Sequence, residues 1–182
     1  WPAEEMAQAA RQFGYQAVNS PHGNDLESHR KEAAIWAEAG LDMIVRPVIP
    51  VNNPFDPREV AEGCEVIRQV IEFHDSNPNV LGYVIAWGLY GEGGFPHEFV
   101  FPEQAVESFN RQMGTPGQPQ PAEPQRGEPG SLRYVKWMEF RSRTLREFRR
   151  HYVAEAKKHT GKLVGTWSEF YPIANYRLNM GD

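Results

Sequence analysis

Apolar and polar positions along the chain follow two periods, one typical of helices and one typical of buried strands. Apolar residues recur at three- and four-residue spacing in five segments, which predicts helices over residues 2–13, 25–39, 57–73, 102–113 and 132–158. Four shorter apolar runs predict strands over residues 15–19, 41–49, 80–87 and 163–167. Strands and helices therefore alternate along the chain, which predicts a parallel sheet with helical crossovers.

Residues that start and stop helices lie at the ends of these segments. Asp25, Asp56 and Ser131 stand where an N-cap is expected, and Gly14 and Gly40 stand where two helices should end. Residues 20–24 are rich in turn formers and predict a loop. A proline at position 47, late in the second strand, predicts that strand pairing loosens there.

Residues 114–130 differ from the rest of the chain because they contain five prolines and almost no apolar side chains. This composition predicts an irregular excursion that is the least ordered part of the molecule. A domain boundary here would leave two incomplete halves. We therefore expect a single domain over residues 1–182 that contains this excursion.

Composition narrows the classes of partner. The chain has 182 residues, 19 Lys and Arg, 24 Asp and Glu, and a net charge of −5. It has no basic stripe, so we do not expect nucleic acid as a partner. No apolar run approaches 18 residues and no secretory leader is visible after Trp1, so no membrane partner is expected and localisation stays open. The single cysteine, Cys64, has the spacing of a buried helix residue rather than of a nucleophile.

Polar residues gather after each predicted strand. No phosphate-binding glycine motif follows any strand, which removes the usual reason for an open doubly wound sheet. The carboxyl ends of the strands form the active rim of a β/α barrel. A complete barrel typically takes about 250 residues, so the pattern predicts a partial (β/α)8 TIM barrel with parallel strands and outer helices. The polar residues after the strands are Asn19, His22, Asn52, Asn53, Glu92, His97, Ser168 and Glu169.

Glu92 is the strongest catalytic candidate because it follows an apolar run and lies between glycines. Gly91 and Gly93 flank it and allow a ligand to approach closely. Trp87, Tyr90 and Phe95 offer an apolar surrounding, which raises the pKa of a carboxyl group, as a general acid requires. The alternative is a structural or solvated glutamate.

Other residues near the strand ends are candidates for binding substrate. Trp87 and Trp167 offer flat faces for a sugar, although core packing also explains them. Arg46 interrupts an apolar strand and must either face a carboxylate inside the barrel or lie near the rim. Asn19, His22 and His97 can bind hydroxyl groups or be ordinary loop residues. Glu169 is interpreted as a substrate-binding or plain rim residue, with a second catalytic carboxylate beside Glu92 as the alternative. The spacing of His22, His97 and Glu92 matches no metal motif, and we expect neither a metal nor a cofactor.

Three segments resemble the β/α-barrel glycoside hydrolases of the large retaining superfamily that includes the β-galactosidases and cellulases. Residues 79–83 resemble the start of its fourth strand, residues 137–141 the following helix, and residues 162–166 the fifth strand. The resemblance implies that Glu92 is the general acid/base. Gly91 stands where most relatives have asparagine. The resemblance further implies that the second carboxylate belongs to a later strand, so that the chain is the central portion of a barrel.

The sequence therefore predicts a retaining, β-galactosidase-like glycoside hydrolase that acts on a carbohydrate substrate. Two alternatives remain open, a carbohydrate-binding barrel without catalysis and a barrel enzyme of another chemistry. An aldolase needs a lysine on a strand as its Schiff base, and Lys162 only begins its strand.

Overall fold

The computed structural model describes residues 2–49, 53, 55–87, 103–119, 121 and 131–166, which form a mixed α/β fold. Helices and strands alternate through most of this part of the chain. In order, they are α1 (Ala3–Gln12), β1 (Ala17–Val18), β2 (His22–Gly23), α2 (Leu26–Glu38), β3 (Asp42–Ile49), α3 (Pro57–His74), β4 (Val80–Trp87), α4 (Glu103–Met113), α5 (Leu132–Ala156) and β5 (Leu163–Thr166).

Three of the described helices, α2, α3 and α5, begin at side chains that satisfy free backbone N–H groups. The Asp25 carboxylate accepts a hydrogen bond from the Glu27 backbone N–H at the start of α2. Asp56 and Ser131 perform the same role for α3 and α5. Each N-cap of this kind contributes about 1 kcal/mol, so these three predicted helix starts are confirmed and have a local physical cause.

The strands form one parallel arrangement in the order β1, β3, β4, β5. β3 pairs with β4 from Met43 to Ile49, and β4 pairs with β5 from Gly82 to Ile85. β2 pairs with β3 on the side that β1 also occupies. Spatial order therefore follows sequence order along this path, and every described strand pair is parallel.

One face of the sheet carries the core. Alternate residues of β3, namely Met43, Val45 and Ile49, are fully buried. They share a cluster with side chains of four helices, including Trp36 of α2 and Ile67 of α3. Hydrophobic burial on this face is the main stabilising contribution to the fold.

The opposite face of the sheet, which we call the open face, is less covered. It carries Ile44, Arg46 and Val48 of β3, all half-buried, and Val84 of β4. Leu163 of β5 lies opposite Gly82 on this face and is 77% exposed. The apolar run in β4 predicts a strand covered on both faces, but the described helices cover only one.

One sequence expectation about the sheet is wrong, and a second is confirmed in part. Residues 22–23 form β2 rather than a plain loop, because β3 extends far enough to pair with them. β3 does not end at Pro47, since it continues to Ile49 and meets Trp87 there, but its pairing with β4 is interrupted at Arg46 and Pro47. The backbone N–H groups of Arg46 and Val48 donate to the Pro21 carbonyl and to the Asn24 side-chain oxygen, on the β2 side. The missing N–H of Pro47 belongs to the β4 side, where the pairing is interrupted.

Gly82 gives a direct test of how β4 and β5 pack together. A Cβ atom at this position would collide with the carbonyl oxygen of Leu163 and lie 2.8 Å from its Cβ. We expect Gly82→Ala to lower the free energy of unfolding by about 1 kcal/mol, because β5 must shift to make room. Urea unfolding followed by circular dichroism measures this loss.

Gly165 on β5 is the matched control, since nothing lies within 4 Å of a Cβ built there. Gly165→Ala should leave stability unchanged or raise it slightly, because alanine has less freedom in the unfolded chain. Equal effects of the two substitutions would contradict this register between β4 and β5.

Candidate active site at the carboxyl edge of the sheet

The carboxyl ends of the strands meet at one edge because the strands are parallel. Ile49 ends β3 beside Trp87, which ends β4. Thr166 ends β5 and pairs with Ile85 of β4, and the Thr166 hydroxyl donates a hydrogen bond to the Ile85 carbonyl at 3.2 Å. The segments that contain Glu92 and Glu169 therefore follow strands that end at this common edge.

Arg46 belongs to the open face, three residues before the end of β3. Its neighbours Val45 and Pro47 are buried, whereas Arg46 is half-buried. His22 of β2 stands opposite it in register, and the Arg46 N–H donates to the Pro21 carbonyl at 2.9 Å. Strand pairing thus brings two of the predicted site residues, His22 and Arg46, to adjacent positions.

The rim beyond β2 and β3 is held by asparagine side chains. The Asn24 side-chain oxygen accepts from the Val48 N–H at 3.1 Å and continues the sheet pairing past β2. The Asn53 amide donates to the Gln104 side-chain oxygen at 3.2 Å, and its own oxygen accepts from the Phe55 N–H at 3.0 Å. These bonds fix the loop after β3 against α4.

A second hydrophobic cluster lies between α4 and α5, where it meets the loop after β3. It consists of Ala105, Phe109, Trp137 and Phe140, with Phe55 packed against it. The rings of Trp137 and Phe140 stack at 5.6 Å between centroids, and Phe55 stacks on Phe140 at 6.1 Å. Because Phe55 follows β3 closely in sequence, this cluster ties α4 and the first half of α5 to the carboxyl edge of the sheet.

Arg133 fixes the first part of the predicted excursion. Its guanidinium donates to the Thr115 hydroxyl at 2.8 Å, to the Asn110 side-chain oxygen at 2.6 Å and to the Pro119 carbonyl at 3.0 Å. It also lies 5.2 Å from the centre of the Phe109 ring. Residues 114–119 are therefore tied to α4 and α5, whereas residues 122–130 lie outside the described part of the chain.

The predicted site residues fall into three groups. Asn19 follows β1 and is exposed, whereas His22 and Arg46 stand side by side in the sheet. Trp87 ends β4, and only its backbone is described. The other four, which are Glu92, His97, Trp167 and Glu169, lie outside the described residues, so their roles stay predictions.

Several residues that shape this edge were not singled out from the sequence. Asn24 and Gln104 act through hydrogen bonds, and the one usable signal was that Asn24 ends a turn-rich segment. Trp137 and Arg141 are buried at 1% and 0% exposure on α5. Both lie in the segment that resembles the helix of the barrel family, but the contact of Trp137 with Phe109 of α4 could not be predicted from that segment.

Cys64 packs between α3 and α5, away from the carboxyl edge. Its sulfur lies 3.5 Å from the His151 ring nitrogen Nε2, and it contacts the main core. Burial raises the pKa of the Cys64 thiol, and the nearby Glu155 carboxylate adds to the effect. A thiol held in its neutral form is a poor nucleophile, in agreement with its interpretation as a packing residue.

The described residues lack two further features. Within them, no three His, Cys, Asp or Glu side chains are arranged to hold a metal ion. No helix in this part of the chain is long and apolar enough to cross a membrane.

Comparison with known proteins leaves the family open. Neither the models of protein families nor the curated protein sequences contain a match to this chain. Its function must therefore be argued from its own residues.

Proposed function

We propose that this chain is part of a β/α barrel that hydrolyses glycosides with retention, with Glu92 as general acid and base. The observation that carries the proposal is the strand order, in which β3, β4 and β5 follow one another in space as they do in the chain, and β1 and β2 both pair with β3. A barrel keeps this sequential order throughout, whereas a doubly wound sheet keeps it only up to its switch point. The strand that leads to Glu92 is an interior strand of this sheet, with β3 and β5 on either side.

The uneven cover of the sheet also supports a barrel. A barrel packs its helices outside and its strand side chains inside. The described helices contribute to the core on one face only, and the open face carries apolar side chains together with Arg46. A half-buried guanidinium on the inner face, near the carboxyl ends, suits the binding of a sugar hydroxyl or of a carboxylate in the site.

In the proposed reaction Glu92 acts twice. As an acid it gives its proton to the glycosidic oxygen while a second carboxylate attacks the anomeric carbon and the bond to the leaving group breaks. As a base it then takes a proton from the water that releases the sugar. Substrate-binding roles are proposed for Arg46 and His22, and for Asn19, Trp87, His97, Trp167 and Glu169.

The experiment is hydrolysis of aryl β-galactosides by the natural protein that contains this sequence. We expect release of the aryl alcohol, and proton NMR should detect the β-anomer of the sugar before it equilibrates. Hydrolysis that yields the α-anomer first would contradict the retaining mechanism. Binding of galactosides in calorimetry without hydrolysis would replace the enzyme with a carbohydrate-binding barrel, and absence of both would exclude the carbohydrate proposal.

A further inference from the structure

Two buried histidines join α2 to α3 on the helix side of the sheet. His29 is 0% and His74 is 1% exposed. The His29 nitrogen Nδ1 lies 3.0 Å from the His74 nitrogen Nε2, and the ring centres are 5.2 Å apart. In a direct bond between two imidazoles one nitrogen donates and the other accepts, so the acceptor ring must be neutral.

The surroundings of the pair favour neutral rings. Phe73 of α3 packs edge-on against His74 at 4.8 Å, and the Arg30 guanidinium of α2 lies over the Phe73 ring. From the start of β5, Lys162 adds a positive charge that acts on His74. A further proton on His74 would therefore meet Lys162 and apolar rings, whereas Arg30 is paired with Glu27 and the Asp25 carboxylate acts on His29.

The described carboxylate nearest in sequence to the pair is already engaged. Asp75 accepts a hydrogen bond from the Thr160 hydroxyl. Lys162 is held in place because its ammonium donates to the Asn77 and Val80 carbonyls at 2.6 and 2.8 Å. The segment between α5 and β5 thus fixes both charged groups beside α3.

We propose that the pair formed by His29 and His74 is an acid-sensitive latch, which holds α2 against α3 at neutral pH and releases it when His74, as the acceptor ring, takes up a second proton. The latch controls the packing of α2 against α3 and does not depend on which reaction takes place at the carboxyl edge of the sheet. Its effect reaches that edge because Asn24, directly before the N-cap of α2, bonds to β3.

The direction of the pH dependence follows from the two states of His74. Burial lowers the pKa of His74 from 6.5 to about 4, with smaller contributions from His29 and Lys162. A histidine exposed by opening has its ordinary pKa near 6.5, so the open state binds more protons between pH 6.5 and pH 4. One histidine with these two values increases the open fraction about 20-fold between pH 7 and pH 5.

Amide hydrogen exchange of the unmodified protein measures this opening. We expect protection factors in α2 and the end of α3 to fall about 20-fold from pH 7 to pH 5, after correction for the intrinsic exchange rate. The first half of α5, which packs in the separate cluster around Trp137, serves as the internal reference. Unchanged protection factors in α2, or an equal decrease in the first half of α5, would contradict the latch.

Two variants separate the pair from the other histidines. In His74→Gln the side-chain amide can still bond to His29 but does not take up a proton. The decrease in the α2 protection factors from pH 7 to pH 5 should therefore be at least fivefold smaller than in the unmodified protein. His159→Gln is the control, because His159 lies near Glu155 and outside the pair. This variant should show the same decrease in α2 protection factors as the unmodified protein. The reverse result would overturn the proposal.

A ring titration by NMR keeps the test independent of how the variants fold. The His74 ring of the unmodified protein should remain neutral at pH 5 in the closed state. Titration of that ring between pH 6 and pH 7 without loss of α2 protection would contradict the latch.

Discussion

Replacing Glu92 with glutamine should reduce kcat/KM for an alkyl β-galactoside about 100- to 10,000-fold. The variant keeps the shape of the side chain but cannot donate a proton to a leaving group that needs one. General acid catalysis by a positioned side chain is typically worth about this factor. Initial rates of sugar release, measured on the natural protein and the variant, test this expectation.

Glu103→Gln is the matched control for the same substitution. Glu103 is exposed in the first turn of α4 and stands at no strand end. Its replacement should change kcat/KM less than twofold. An equal loss in both variants would indicate a general effect of lost negative charge rather than a role for Glu92 in proton transfer.

Gly63→Ala should lower the free energy of unfolding by about 2 kcal/mol. Gly63 lies inside α3, where alanine normally stabilises a helix by about 1 kcal/mol. A Cβ atom here, however, would collide with the Ile49 side chain and lie 2.7 Å from the Tyr152 hydroxyl, and both residues are fully buried. Overpacking of about 3 kcal/mol therefore outweighs helix propensity.

Chemical unfolding at neutral pH measures the effect of Gly63→Ala, and Gly161→Ala serves as its control. Nothing lies within 4 Å of a Cβ built at Gly161. The two substitutions should differ in sign or by at least 1 kcal/mol. A gain in stability from Gly63→Ala would mean that α3 stands farther from β3 and α5 than the structure has it.

Local signals explain why most helix and strand positions could be predicted. Asp25, Asp56 and Ser131 start their helices through bonds to backbone groups two or three residues away, so the cause lies within a few residues of sequence. β2 was missed because its two residues are strand only through pairing with β3. The open face was missed because an apolar run does not reveal which of its two sides a helix will cover.

The candidate site also contains features that local sequence predicts and features that depend on contacts between distant residues. The sequence correctly predicts that Trp87 ends a strand, because the apolar run and its end lie within a few residues of each other. The pairing of His22 with Arg46 depends on register between strands and could not be read from either segment alone. The contact between His29 and His74 joins residues 45 apart in sequence and left no local trace.

The leaving group provides the most direct test of Glu92 as the general acid. Dinitrophenolate leaves without a proton, whereas an alkoxide needs one, so Glu92→Gln should leave kcat/KM for a dinitrophenyl β-galactoside within about fivefold of the unmodified enzyme. The same variant should lose about 100-fold or more on the alkyl galactoside. This difference between the two substrates is the result that the account predicts. Equal losses on both would show that Glu92 does not donate the proton and would contradict it.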